Sequence, residues 1–214
     1  GKSTLAYHLI NYMFSKKEID SYDFTNKVIK SNNKSFILVQ SNSHPNFYLI
    51  DLIAEKKNIE ISQIRKMIDY TKKSTFNDSP KFILIDNVEY LNSNSSNALL
   101  KVIEEPNENC FFILIHNSYK NISNTLKSRC LTYKINLTFD ESVKITNKII
   151  NDDISKLINI DLINQYNTPG DFINLLSFAE MNKINLNEYN LKKFLYYLID
   201  NNFYKKDFFI KSNI

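Results

Sequence analysis

Apolar residues recur at helical spacing through 5–14, at Leu5, Leu9 and Met13, which predicts an amphipathic helix. The Lys- and Asn-rich stretch 15–34 is polar and predicts a loop region. Ser35-Phe36-Ile37-Leu38-Val39 then reads as a buried strand. Ser43-His44-Pro45-Asn46 reads as a turn, because Pro biases its predecessor away from helix. A helix is predicted over 61–73 with Ser62 as its N-cap. The run 82–86 is a short apolar strand ending in a carboxylate, 93–105 a helix stopped near Pro106, and 111–115 another apolar strand. These strands are continuous hydrophobic runs, the mark of a parallel sheet covered on both faces. Alternation of strand and helix implies a three-layer α/β domain. Beyond about residue 137 the pattern is helical throughout, over 140–150, 154–166, 172–181 and 186–202. The expected order is therefore α/β first and all-α after.

Composition narrows the class. A hydrophobic content of 43% with 13% aromatics excludes a disordered chain. No apolar run approaches the ~18–20 residues needed to span a bilayer, and no signal-peptide pattern is present. Two Cys without CxxC spacing exclude a disulfide scaffold and a four-Cys zinc site. A reducing, cytoplasmic setting without a membrane partner is expected. The balance of Lys+Arg 27 against Asp+Glu 23 allows a nucleic-acid partner without arguing for one. Asn and Ile outnumber every other residue type, whereas Arg occurs only at 65 and 129 and Gly only at 1 and 170. That bias is what an AT-rich genome writes where selection is indifferent, so each surviving Arg and Gly is worth inspecting. The chain starts at Gly1 and stops at Ile214 inside an amphipathic stretch, and is expected to be a fragment open at both ends.

Gly1-Lys2-Ser3-Thr4 followed by a helix matches the tail of the phosphate-binding G-x-x-x-x-G-K-[ST] loop. Gly lets the backbone approach phosphate, Lys reaches the β/γ oxygens, and the Ser hydroxyl ligates Mg²⁺. The helix N-terminus adds its dipole. The strand ending in Asp86 supplies the expected second half, an Asp that holds the Mg²⁺ shell. ATP with Mg²⁺ is therefore the candidate cofactor, at Lys2, Ser3, Thr4 and Asp86, with Ser3 and Asp86 toward the metal. The next position would carry a water-activating Glu in a working ATPase, and here it is Asn87, whose amide cannot accept a proton as a carboxylate does.

His44-Pro45-Asn46-Phe47, Ile61-Ser62-Gln63-Ile64-Arg65, the run 82–87, Asn97-Ala98-Leu99-Leu100-Lys101 with Glu104-Glu105-Pro106, and Ser128-Arg129-Cys130 occur in this order. The set resembles the AAA+ clamp-loader subunits of bacterial DNA polymerase III, over most of 1–180, and the delta-prime branch most closely. The resemblance implies an AAA+ (P-loop NTPase-like) parallel-sheet domain over 1–136. A small all-α lid over 137–182 and the start of a C-terminal helical collar domain over 183–214 would follow. It implies that Arg129 is an arginine finger offered in trans to the γ-phosphate of ATP on a neighbouring subunit. A salt bridge that closes the domain is the plain alternative. Asn117 falls where related loaders carry the sensor-1 polar residue, and equally suits a turn. Arg65 is expected to be structural. The implied partners are the gamma/tau and delta subunits, the sliding clamp, and primer–template DNA through the assembled complex.

Departures from the family pattern also carry information. Residues 15–35 hold no Cys, so the zinc module of many members is not expected. Asn167-Thr168-Pro169-Gly170-Asp171-Phe172 carries no sensor-2 Arg, and Pro169-Gly170 reads as a helix-breaking turn. With Asn87, this favours a delta-prime-like subunit with weak or no hydrolysis. Two rivals stand beside it: a self-sufficient AAA+ ATPase such as the gamma/tau motor, and a Lys-rich DNA-binding module. The scattered Lys residues, without a basic cluster, argue against the second.

Overall fold

The computed structural model describes residues 1–53, 56–117, 120–166 and 168–206. They form two compact units, one ending at Tyr133 and one beginning at Lys134. The first contains α1 (Lys2–Ser15), α2 (Lys34–Gln40), β1 (Phe47–Ile50), α3 (Ile61–Thr71), β2 (Lys81–Ile85), α4 (Ser93–Glu104), β3 (Cys110–Leu114) and α5 (Asn124–Lys127). The strands make a three-stranded parallel sheet in the order β1-β2-β3.

The sheet is the middle of three layers, as the continuous apolar runs imply. Successive side chains of a strand point to opposite faces. Phe47, Leu49, Phe82, Leu84 and Ile113 pack with Ala6 and Ile10 of α1 and Val39 of α2. Tyr48, Ile50, Ile83, Ile85, Phe112 and Leu114 pack with Ile64 and Met67 of α3, Leu99 of α4 and Leu126 of α5. All five residues of β2 are buried, including Lys81 at 2% exposure. The Lys81 Nζ donates to the carbonyls of Tyr70 (3.1 Å) and Lys73 (2.7 Å). Those carbonyls lie at the C-terminal end of α3, where orphan acceptors and the helix dipole favour a cation. Burial pushes the Lys81 pKa down.

Three elements differ from the sequence expectation. The run 35–39 lies in a helix, α2, not in a strand. Its N-terminus is held by Asn33 Oδ1, which accepts from Phe36 N at 2.7 Å. The Glu18 carboxylate accepts from Lys34 N at 3.1 Å, from Ser35 N at 3.2 Å, and from the Ser35 hydroxyl. Four N–H groups at a helix start need such partners, and a strand would leave them without these. The third strand of the sheet is instead β1, directly after the His44-Pro45-Asn46 turn. The α3 N-cap is Glu60 rather than Ser62: Gln63 Oε1 accepts from Glu60 N at 2.9 Å in a capping box.

The second unit is helical: α6 (Phe139–Ile150), α7 (Ile154–Leu157), α8 (Ile160–Ile163), α9 (Pro169–Asn182), α10 (Leu191–Asp200) and α11 (Phe203–Lys206). Its core joins Ile154, Ile158, Leu162, Phe172, Leu175, Phe178, Phe194 and Leu198, so residues from both expected helical spans, 137–182 and 183–214, share it. The expected helix over 154–166 is broken at Ile158, and Asn159 caps a new start by accepting from Asp161 N. The span 186–202 is a single 3₁₀ turn followed by α10. Pro169-Gly170 does not break a helix but begins one: Pro169 occupies the first turn of α9 behind the N-cap Thr168. Asn167, from the same expected motif, and 207–214 lie outside the described residues. No described helix is long and apolar enough to cross a membrane.

Gly170 does not sit at a position that demands glycine. Positive φ is carried instead by Asn42, Asn77, Asp78, Asn87, Asn109, Asn151, Asn202, Lys27 and Lys183. The scarcity of Gly therefore does not mark Gly170 as conformationally required.

Candidate functional site

The register aligns Ile50 with Ile85 and Ile85 with Leu114, so all three strands end at one edge of the sheet. Polar residues follow each: Asp51 after β1, Asp86 and Asn87 after β2, His116 and Asn117 after β3. The carboxyl ends of parallel strands are where open α/β sheets bind ligands. The N-terminus of α1 lies over the same edge. Ser3 Oγ donates to Asp86 Oδ2 at 2.6 Å, and Lys2 Nζ donates to the His116 carbonyl at 2.9 Å. Two residues of the phosphate-loop tail and the strand-end carboxylate are thus brought together although 83 positions separate Ser3 from Asp86. Thr4 is exposed on the same first turn, and its Oγ1 accepts from the Gly1 nitrogen at 3.2 Å. An N–H-lined helix start, a Lys, a hydroxyl and a carboxylate are the donor set that suits a phosphate with a hard cation.

Asn87 has φ 58 and ψ 44, in the left-handed region. Its backbone N–H donates to Asp86 Oδ1 at 2.9 Å. Its side-chain Nδ2 donates to Asp51 Oδ1 at 2.8 Å, on the opposite side of β2 from Lys2. Asp51 Oδ1 also accepts from Leu52 N at 2.6 Å, and the Asp51 carbonyl accepts from Gln63 Nε2 at 3.0 Å. Tyr7 of α1 lies near both carboxylates. Burial, then Asp86, then Asp51, raise its pKa. Sequence reasoning overlooked Asp51. Its signal was present: Phe47-Tyr48-Leu49-Ile50-Asp51 repeats the pattern of Phe82-Ile83-Leu84-Ile85-Asp86.

Asn117 is exposed beside His116, whose Nδ1 donates to the Asn117 carbonyl at 3.2 Å. Arg129 takes its partners outside the strand-end cluster. Its Nε donates to Glu104 Oε1 in an ion pair, and Nη1 donates to the Thr125 carbonyl at 3.1 Å. Glu104 closes α4, a helix that starts just beyond β2 and runs back for twelve residues, about 18 Å. Both partners of the pair are exposed, 39% and 45%. Arg65 is exposed on α3.

A model of the family described as "DNA polymerase III, delta subunit" matches residues 1–138, which include the whole strand-end cluster and the Arg129 pair. The chain belongs to the DNA polymerase III delta subunit family. Among relatives of this family, a DNA polymerase III subunit delta' of Buchnera aphidicola subsp. Schizaphis graminum is 34% identical over 128 residues, 58% of this chain and 38% of that one. A DNA polymerase III subunit gamma of the same organism is 41% identical over 98 residues, 45% of this chain and 26% of that one. A solved structure of a DNA polymerase III gamma subunit-related protein from Thermotoga maritima has a TM-score of 0.47 at 21% identity, covering 62% of this chain and 42% of that chain. The chain thus spans well under half the length of the curated relatives it matches.

Proposed function

We propose that this chain is a delta-prime-like AAA+ subunit of a bacterial replicative clamp loader, acting beside gamma/tau and delta subunits to place the sliding clamp on primer–template DNA. Its own hydrolysis is weak or absent, and Arg129 acts in trans on a neighbour's ATP. The observation that carries this reading is Asn87: an amide follows Asp86, and it is hydrogen-bonded to Asp51 rather than directed toward Ser3. The Asn87 amide cannot accept a proton from water as a carboxylate at that position would.

Lys2, Ser3, Thr4 and Asp86 fit a nucleotide phosphate with Mg²⁺, because their donor and acceptor types already meet at one helix start. The metal, when bound, would neutralise phosphate charge. Lys2 would exchange the His116 carbonyl for a phosphate oxygen. Ser3 and Asp86 would hold the metal shell, and Asn117 would offer a further polar contact.

Placement of Arg129 supports action in trans. It pairs with Glu104, the last residue of α4, and with the Thr125 carbonyl rather than with Lys2, Ser3 or Asp86, and it is exposed. The test is ATP turnover by the full-length subunit alone and in complex with its partner subunits. Arg129→Ala should fold and assemble, and should lower turnover of the complex by on the order of 10³. Glu104→Gln removes the ion pair while leaving the guanidinium, and should leave turnover near wild type. Equal losses in both variants would mean that Arg129 serves only as a salt bridge.

The gamma relative, matched at higher identity over a shorter stretch, favours a second reading, a self-sufficient motor subunit. Robust hydrolysis by the isolated full-length protein would establish it and overturn the first.

A further inference from the structure

Three strand ends and one helix start meet at the candidate site, and they divide into two sides. Lys2 and Ser3 of α1 bind toward β3 and β2, at the His116 carbonyl and Asp86. The Asn87 carboxamide turns the other way, across to β1, where Asp51 accepts from it. Asp51 is itself fixed from two directions, by Leu52 N on its own carboxylate and by Gln63 of α3 on its carbonyl. We infer that Asp51 is a positioning residue of this site: it draws the position-87 side chain onto β1 and keeps it out of the space between Ser3 and Asp86.

The proposal rests on the functional reading above for its meaning, but its geometry stands alone. It explains why an amide, rather than a carboxylate, suits position 87. Only a donor can satisfy Asp51 Oδ1, and a carboxylate there would face a like charge. It also follows that restoring an acid at position 87 fails to place it productively while Asp51 remains. Charged and titratable groups near that position include Asp51 just after β1, Asp86 just after β2, Glu89 in the turn that Asn87 begins, Tyr7 of α1 near both aspartates, and Lys2 of α1 at the end of β3. Packed α3 presents the neutral Gln63.

A side-chain readout tests this in the full chain. The Asn87 carboxamide resonances, followed by NMR, should be slow to exchange with solvent in the wild type, where Asp51 accepts from them. In Asp51→Ala they should exchange several-fold faster and move toward the position of a solvated amide, whereas in Asp51→Asn, which keeps an acceptor oxygen, they should stay near wild type. Unchanged exchange and resonance position in Asp51→Ala overturn the proposal, whatever the protein binds. The second readout is affinity for Mg·ADP. Asp51→Ala, which releases Asn87, should change the dissociation constant several-fold, while Asp51→Asn, which keeps an acceptor oxygen, should restore it to near wild type. A melting-temperature loss in Asp51→Ala without a change in that constant would reduce Asp51 to a structural residue and also overturn the proposal. Absence of Mg·ADP binding by the wild-type chain would count against the nucleotide reading alone, because the side-chain amide readout needs no nucleotide.

Discussion

Three segments of this molecule share the run Phe-Ile-Leu, two in strands and one in a helix, and the helix and the central strand fold oppositely. Ser35-Phe36-Ile37-Leu38-Val39 lies in helix α2, and Lys81-Phe82-Ile83-Leu84-Ile85 is strand β2. In β2 every residue is buried between two helical layers, which a fully apolar run requires. In α2 only Ser35 and Val39 are buried, four positions apart on one helical face, and Ile37 and Leu38 are exposed. What separates them lies outside the run. Asn33 and Glu18 collect the N–H groups at the start of α2, whereas Lys81 takes its partners from the end of α3 and leaves the β2 backbone to its neighbours. The apolar letters set how much surface can be hidden, and the flanking polar groups set which backbone can hide it.

Substitutions can break or sharpen that contrast. The largest loss is expected in the strand. Leu84 is 0% exposed, so Leu84→Ala should destabilise by about 2–5 kcal/mol, read as a lowered denaturant midpoint. Next is the helix cap. Asn33→Ala removes the acceptor of Phe36 N and strands the buried Asn11 amide, which donates to Asn33 Oδ1 at 2.8 Å. A loss of about 2 kcal/mol is expected, with helical circular dichroism falling in step. If stability is unchanged, the cap does not decide the fold of α2.

A smaller effect belongs to the turn between α2 and β1. His44 is stacked on Phe14 with ring centroids 3.9 Å apart, and its Nδ1 accepts from Asn46 N. Burial, partly offset by Glu18, holds its pKa below the ordinary value. The unfolded chain then binds the proton more readily, so stability present above about pH 6.5 is lost as pH falls through the folded value. His44→Gln should remove this slope, which cannot exceed one proton, from chemical denaturation measured between about pH 5 and 7. The smallest effect is Ile37→Ala. At 51% exposure it should cost no more than about 0.5 kcal/mol, a sharp contrast with Leu84.

The same contrast shows what could be read from letters alone. The run ending in Asp86 was legible as a strand because an apolar tetrad bounded by Lys81 and Asp86 has few other uses in a layered domain. Its neighbour 111–115 and the helix over 93–105 were legible for the same reason. The α2 error arose because its caps lie at Glu18 and Asn33, and one of these is brought in by tertiary structure. In a chain so rich in Asn, a capping Asn looks like background: Asn33, Asn92, Asn159 and Asn190 all begin helices. At the candidate site Lys2, Ser3 and Asp86 could be named because each type has a chemical reason to be there. Asp51 could not, because its role is set by a cross-strand partner. The ion pair of Arg129 with Glu104 was open as an alternative, but only the course of α4 shows which end of the helix holds it.

The left-handed residues have a consequence for protein engineering. An Asn or Asp tolerates that region, but a Lys there forfeits on the order of 1 kcal/mol against Gly. Lys183 closes α9 in this conformation at φ 54, and Lys27 holds the same φ in the turn between Asp23 and Val28. Both positions are a reserve of unclaimed thermal tolerance, open to glycine without touching the core or the strand-end cluster. Asn87 shares their backbone angle but does not belong with them, since its side chain is in use.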